Sequence, residues 1–436
     1  MTRPRHVYCM DYSEDFGLSG LTGTVCSRVG LRIDAQVILS VAQQLATEQE
    51  DHQLGADVRL LLDGPLSESA LRDVWLAATR GCFDPTENGE GMRQWLQGIS
   101  DVCPPHEEEA DLPGAAGFDE RGPQIGEEDL RGIVTAEIDY LVPKLQKAIP
   151  APETLSALHD IVQHVDADLG LRMFLRTVKA YSVPVSAEQY DRLIQLAEQL
   201  AYHFSVVHES LNVRWPPIDP ADRTLPLGRF GLPTLTRLFD ADTWSGEGDP
   251  LNVVDQLLHA DVGLTPGLQA AILLDDAQHA IDSSLPDSVI ADLWLAASGR
   301  WYVRDEFDSQ GRPWLHTIAQ RCRNRLRDVD TTYMPYPAST PQEPRAAVLR
   351  EIQASLATLN ATYPACPSDG IAQGAGQALE QAAMVISPDL AFRLFLHCLT
   401  PDHPVTAEQY ARFASLCNQL RYHENYIHEF AYLVAE

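Results

Sequence analysis

Histidines and carboxylates at helical spacing are the residues of this chain best suited to hold a metal ion or move a proton. His203, His208 and Glu209 lie close together, and the same types recur as His423, His428 and Glu429. A helix brings residues three or four apart onto one face, whereas five residues turn it by about 140°. The two histidines of each set therefore point apart, and caps or rim hydrogen bonds suit them better than a zinc site. Asp275, His279 and Asp282 do share one helical face, where a divalent cation could sit. The positions 219 residues earlier are Ala56, Leu60 and Asp63, which cannot form the same set. A solvated acidic face is the expected role of that triplet.

Other chemistries are excluded by pattern. No glycine precedes a lysine, so there is no P-loop, and neither G-x-S-x-G nor H-E-x-x-H occurs. Gly17, Gly20 and Gly23 are spaced by three, and are expected to shape a loop. Lysine occurs only at Lys144, Lys147 and Lys179, so Lys-dependent catalysis would have to reside in the first half. No catalytic, cofactor-binding or metal-binding residue is assigned, and no cofactor is expected.

Charge narrows the partners further. The chain has 32 Lys plus Arg against 62 Asp plus Glu, a formal charge of −30. Such a field repels nucleic-acid phosphates and anionic lipid and speeds encounter with basic proteins. The most basic stretch, Arg321 to Arg327, is flanked by acids and suits the end of a helix. The densest acidic segment is Pro104–Gly126, with Glu107, Glu108, Glu109, Asp111, Asp119 and Glu120 among prolines and glycines. It is expected to be an acidic loop and the candidate partner-binding segment.

Eight cysteines occur without any C-x-x-C pair, in a chain too long to need disulfides. They are expected to be small buried apolar residues in a reducing compartment. The N-terminus has no apolar leader, and no apolar run approaches membrane-spanning length, so the expected location is cytoplasmic.

The elements that must position these side chains come from a pattern written twice. Phe16-Gly17-Leu18 recurs as Phe230-Gly231-Leu232, Trp75-Leu76-Ala77-Ala78 as Trp294-Leu295-Ala296-Ala297, and Trp95-Leu96 as Trp314-Leu315. Asp168 and Arg172 recur as Asp389 and Arg393, Ser186 to Tyr190 as Thr406 to Tyr410, and Tyr202-His203 as Tyr422-His423. Matches in one order at nearly constant separation indicate tandem copies of one unit. Asp168 with Arg172, and Asp389 with Arg393, read as i,i+4 pairs on a helix.

Helices are expected at 35–50, 68–80, 89–103, 127–148, 152–165 and 169–181, with counterparts one repeat later. Ser186 and Thr406 each precede a Gln by three, as in a capping box. The stripe from Tyr190 through Leu200 to Leu211 predicts one long helix. The fold class is therefore all-α: two helical bundles or a short α-solenoid, with pseudo-symmetric halves at 1–218 and 219–436 divided by the proline-rich Trp215–Pro220.

Three functional classes remain. The first is a cytosolic acidic binding protein that neutralises a basic protein, as an immunity protein does a toxin domain. The others are a helical scaffold or regulator, and an enzyme whose Asp, Glu and His residues converge from distant helices. Trp75 and Trp294, flanked by Leu and Ala, should be core in any of them.

Overall fold

The computed structural model describes residues 15–27, 34–48, 51–103, 125–151, 153–225, 230–240, 244, 248–261, 264–299, 311–331, 333, 344–366, 370–400 and 405–434. Among them the chain is mostly helical and falls into two compact units, Met1–Trp215 and Pro216–Glu436. No helix among the described residues is long and apolar enough to cross a membrane.

Unit one contains α1 (Gly17–Ser27), α2 (Ala35–Glu48), α3 (His52–Asp63), α4 (Glu68–Ala78), α5 (Met92–Val102), α6 (Glu127–Ala148), α7 (Glu153–His164), α8 (Ala167–Ala180), α9 (Ala187–Gln199) and α10 (Ser205–His208). Unit two contains α11 (Gly231–Arg237), α12 (Pro250–Leu258), α13 (Leu268–Asp282), α14 (Asp287–Ala297), α15 (Gly311–Val329), α16 (Arg345–Thr362), α17 (Ala375–Val385), α18 (Pro388–Cys398), α19 (Ala407–Gln419) and α20 (Glu424–His428). In unit one, α1 packs on α3 and α8, α4 on α7 and α8, and α6 on α7. In unit two, α11 packs on α13 and α18, α14 on α17 and α18, and α16 on α17.

Local sequence explains these helices. Ser67 caps α4 by accepting the Ala70 N–H at 3.1 Å, and Leu71, Val74, Trp75 and Ala78 then bury one face. Trp75 and Trp294 are both buried, each edge-to-face with a second tryptophan: Trp75 with Trp95 at 5.6 Å and Trp294 with Trp314 at 6.0 Å. Helix α6 covers the expected 127–148, and the run Ile133–Val142, which could pass for a strand, lies inside it.

Three local expectations are corrected. The capping box at α9 is half formed. Ser186 Oγ accepts the Gln189 N–H, but the Gln189 amide donates to Glu137 at 3.0 Å instead of reaching back. Gly17, Gly20 and Gly23 lie in α1 rather than in a loop. The long helix from Tyr190 to Leu211 is broken at Leu200, because Ala201 takes a left-handed φ of 53°. The Tyr202 N–H bonds back to Ala197 O at 2.8 Å and the Ala201 N–H to Glu198 O at 3.0 Å, a Schellman ending. Unit two ends α19 likewise, with Arg421 at φ 61° and the Tyr422 N–H on Cys417 O at 2.9 Å. Each reversal directs a tyrosine back into its unit. Val213–Arg214, beyond the first break, pairs in parallel with Val185–Ser186 just before α9, a two-residue ladder.

Candidate functional site

In each unit an arginine is buried against two aspartates. Arg393 in α18 is fully buried and grips Asp276 in α13 with both terminal nitrogens, at 2.9 and 2.6 Å. The same guanidinium holds Asp389, one turn earlier, at 2.6 Å. In unit one, Arg172 in α8 bridges Asp57 in α3 and Asp168, the latter at 3.3 Å. The expected i,i+4 pairs therefore exist, but each is half of a larger centre whose other carboxylate lies 115 or 117 residues away.

A helix start closes each centre. The Leu18 N–H donates to Asp57 Oδ2 at 2.9 Å, and the Leu232 N–H to Asp276 Oδ2 at 2.8 Å, so each carboxylate also caps α1 or α11. Phe16 and Phe230 lie against Arg172 and Arg393, ring centroid to guanidinium carbon 4.9 and 5.1 Å. Tyr202 and Tyr422, delivered by the Schellman turns, donate to Asp168 and Asp389.

This approach is possible because Gly17 and Gly231 have φ of 62° and 69° and carry no Cβ. A Cβ there would stand 2.2 Å from Asp57 Oδ2 or 2.1 Å from Asp276 Oδ2.

The two centres differ at their edges. In unit two, Arg223 adds a second guanidinium, 3.4 Å from Asp389 and 3.9 Å from Asp275. Burial alone would raise the Asp389 pKa, but the charges of Arg393 and Arg223 and the Tyr422 hydrogen bond hold it well below the usual carboxylate range. In unit one, Asp51 takes the Gly17 N–H at 2.7 Å, while its other oxygen is buried with no hydrogen-bond partner among the described residues. Burial pushes Asp51 up to about 6, against the Gly17 hydrogen bond.

Because the unfolded chain ionises Asp51 first, its stabilising effect is complete below its ordinary 3.8 and is lost as the pH rises through about 6. Carrying a pKa from 3.8 to about 6 corresponds to about 3 kcal/mol. Asp51→Asn should therefore stabilise unit one by up to about 3 kcal/mol near neutral pH and by almost nothing near pH 4. Denaturant unfolding of both proteins across that range is the check, and a pH-independent difference would refute the assignment.

The candidates read from sequence behave differently. His203 Nδ1 bonds Ser205 Oγ at 2.5 Å and His208 Nδ1 bonds the Tyr190 hydroxyl at 2.9 Å, while Glu209 is exposed. In unit two, His423 accepts the Asn425 N–H at 3.2 Å, and Glu429 lies 3.8 Å from Arg237. His279 pairs with Asp275 at 3.5 Å, a hydrogen bond that lifts its pKa to about 9 and keeps it cationic at neutral pH, while Asp282 takes the Gln278 amide at 2.9 Å. Among the described residues, no group of three His, Cys, Asp or Glu side chains is placed to hold a metal ion. A small cleft in unit two, lined by Leu232, Trp294, Leu315, Leu390 and Leu394, is almost wholly apolar. Glu107, Glu108, Glu109, Asp111, Asp119 and Glu120 lie outside the described residues.

Asp57, Asp276 and Asp51 were not singled out from the sequence, although a signal for the first two was present. Asp276 follows Asp57 by 219 residues, the spacing that separates Trp75 from Trp294. No protein-family model, curated protein or solved structure matches this chain.

Proposed function

We propose that this is an acidic binding protein that captures and neutralises a basic protein partner, in the manner of an immunity protein acting on a toxin domain. The observation that carries the reading is how the scarce cations are used. Arg172 and Arg393 are buried in the two centres. Arg93 is spent on the carbonyls of Leu62, Gly64 and Leu66, and Arg312 on those of Ala280, Ile281 and Leu285. Lys179 is held by Asp15 and Val206 O, and Arg325 by Leu258 O and Asp261. Many carboxylates remain in water, as with Glu128 and Glu408, both 89% exposed. The buried cations are matched by buried carboxylates, so the formal charge of −30 is expressed by the solvated acids as a strongly negative field. The assembled polar centres, meanwhile, are consumed in internal bonds that hold α1 and α11 in place.

The repeated order of packing partners and the matching Arg–Asp centres support descent of the two units from one tandemly copied ancestor. On that reading, partner-specific chemistry belongs to what the units do not share, chiefly the acidic segment Pro104–Gly126. Changing Glu107, Glu108, Glu109 and Asp111 together to alanine should slow association with a basic partner recovered from the native cell and flatten its salt dependence. A segment given over to partner binding contributes little to folding, and surface substitutions typically change stability by no more than about 0.5 kcal/mol, so the melting curve should be unchanged. Association kinetics at low salt provide the test, and unaltered rates would remove the segment from the interface. Capture that is insensitive to salt and driven by an apolar patch would instead favour a scaffold or regulator.

A further inference from the structure

The cysteines depart from the expectation that all are buried. Cys103, Cys322, Cys398 and Cys417 are buried, but Cys26 and Cys366 are only partly covered, Cys82 is exposed, and Cys9 lies outside the described residues. Cys26 and Cys82 are neighbours: the Cys82 N–H bonds Thr79 O at 3.0 Å, which brings Cys82 back beside Ala78, whose O lies 3.6 Å from the Cys26 sulfur. Cys26 lies in the last turn of α1, with its sulfur 3.6 Å from Ala78 O at the end of α4. Cys82 follows α4 after Arg80 and Gly81, whose φ of 52° and 69° fold the chain back. Arg176 completes the cluster, with Nε 3.3 Å from the same Ala78 O.

We propose that Cys26 and Cys82 form a reversible dithiol–disulfide modification site in unit one, oxidised by a small peroxide. The exposed Cys82 reacts first. Its thiolate attacks one peroxide oxygen, the O–O bond breaks, and the departing hydroxide takes up the thiol proton as water, leaving a sulfenic acid. Cys26 then attacks the Cys82 sulfur. The S–S bond forms, the S–O bond breaks, and the oxygen leaves as water with the Cys26 proton. Two thiols and one hydrogen peroxide thus give one disulfide and two waters. Burial pushes the Cys26 thiol up to about 11 and keeps it protonated at rest, while the nearby Arg176 opposes that rise and favours the thiolate that resolves. The bond would tie α1, whose first turn is capped by Asp57, to the end of α4.

The whole chain, treated with hydrogen peroxide and digested under non-reducing conditions, provides the test. Cleavage after Glu14 and Glu68 separates Cys26 from Cys9 and isolates Cys82. A Cys26–Cys82 cross-linked peptide lacking two hydrogens and released by dithiothreitol is expected. The oxidised chain should melt about 5 °C or more above the reduced one. Cys82→Ser should abolish the cross-link, and Cys26→Ser should leave Cys82 as a sulfenic acid that dimedone traps. Oxidation of Cys82 to sulfinic acid with Cys26 still free would overturn the proposal, as would a link from Cys82 to any other cysteine or no reaction at all.

Discussion

Arg393→Ala is expected to destabilise unit two by about 3–5 kcal/mol, because the change leaves Asp276 charged and buried without its guanidinium. The wild-type pair is not itself a large source of stability, since both ions must be desolvated. The loss arises from breaking it. Two observations sharpen the expectation. Asp276 would keep the Leu232 N–H, which cannot neutralise a carboxylate 3% exposed. Asp389 would keep Arg223, so the damage should centre on α11 and α13. A double change, Arg393→Met with Asp276→Leu, removes both charges and should cost clearly less than the single one. Denaturant unfolding, with amide exchange of the α18 backbone to separate the units, measures both. A loss below about 1 kcal/mol for Arg393→Ala would show that water reaches the site and that the centre does not hold the unit together.

Gly17→Ala should cost about 3 kcal/mol or more, for two separable reasons. A left-handed φ is worth about 1 kcal/mol against alanine. The larger part is contact: the new methyl would stand 2.2 Å from Asp57 Oδ2 and 2.7 Å from Arg172 Nη1, so either the ion pair or the start of α1 must move. Gly81 supplies the control. Its φ is 69°, similar to that of Gly17, but a Cβ there meets nothing within 4 Å. Gly81→Ala should therefore lose only the conformational part, about 1 kcal/mol. Thermal melts of the two variants decide the point, and equal losses would mean that the closeness of Gly17 to Asp57 is unimportant.

These centres show where reading along the chain succeeds and where it stops. Asp168 and Arg172 were visible as a pair because helical periodicity is local. Their burial was not, since a fully buried arginine runs against residue-type expectation and depends on an acid 115 residues away. Tyr190 to Leu211 has an unbroken apolar stripe, but periodicity registers side chains and not the backbone angle of Ala201, where the helix ends. Gly17, Gly20 and Gly23 looked like loop residues because glycine is a poor helix former. Close approach to Asp57 and to Asp15 O is what requires Gly17 and Gly20 in α1, while a Cβ at Gly23 would meet only the end of the Arg176 side chain, at 3.2 Å.

By itself the sequence determined the helical class, the acidity, the buried tryptophans and the spacing at which its matched segments recur. The first three depend on composition or on neighbours within a few turns, and the last on comparing the chain with itself. Tertiary structure alone decided that Asp57 and Asp276 neutralise Arg172 and Arg393 while capping α1 and α11. It also decided that Asp51 keeps a buried oxygen with no partner among the described residues, and that Cys26 and Cys82 lie beside the same end of α4. The physical reason is that charge pairing, desolvation and thiol proximity act through space over a few ångströms, and only the packing of distant helices sets those distances.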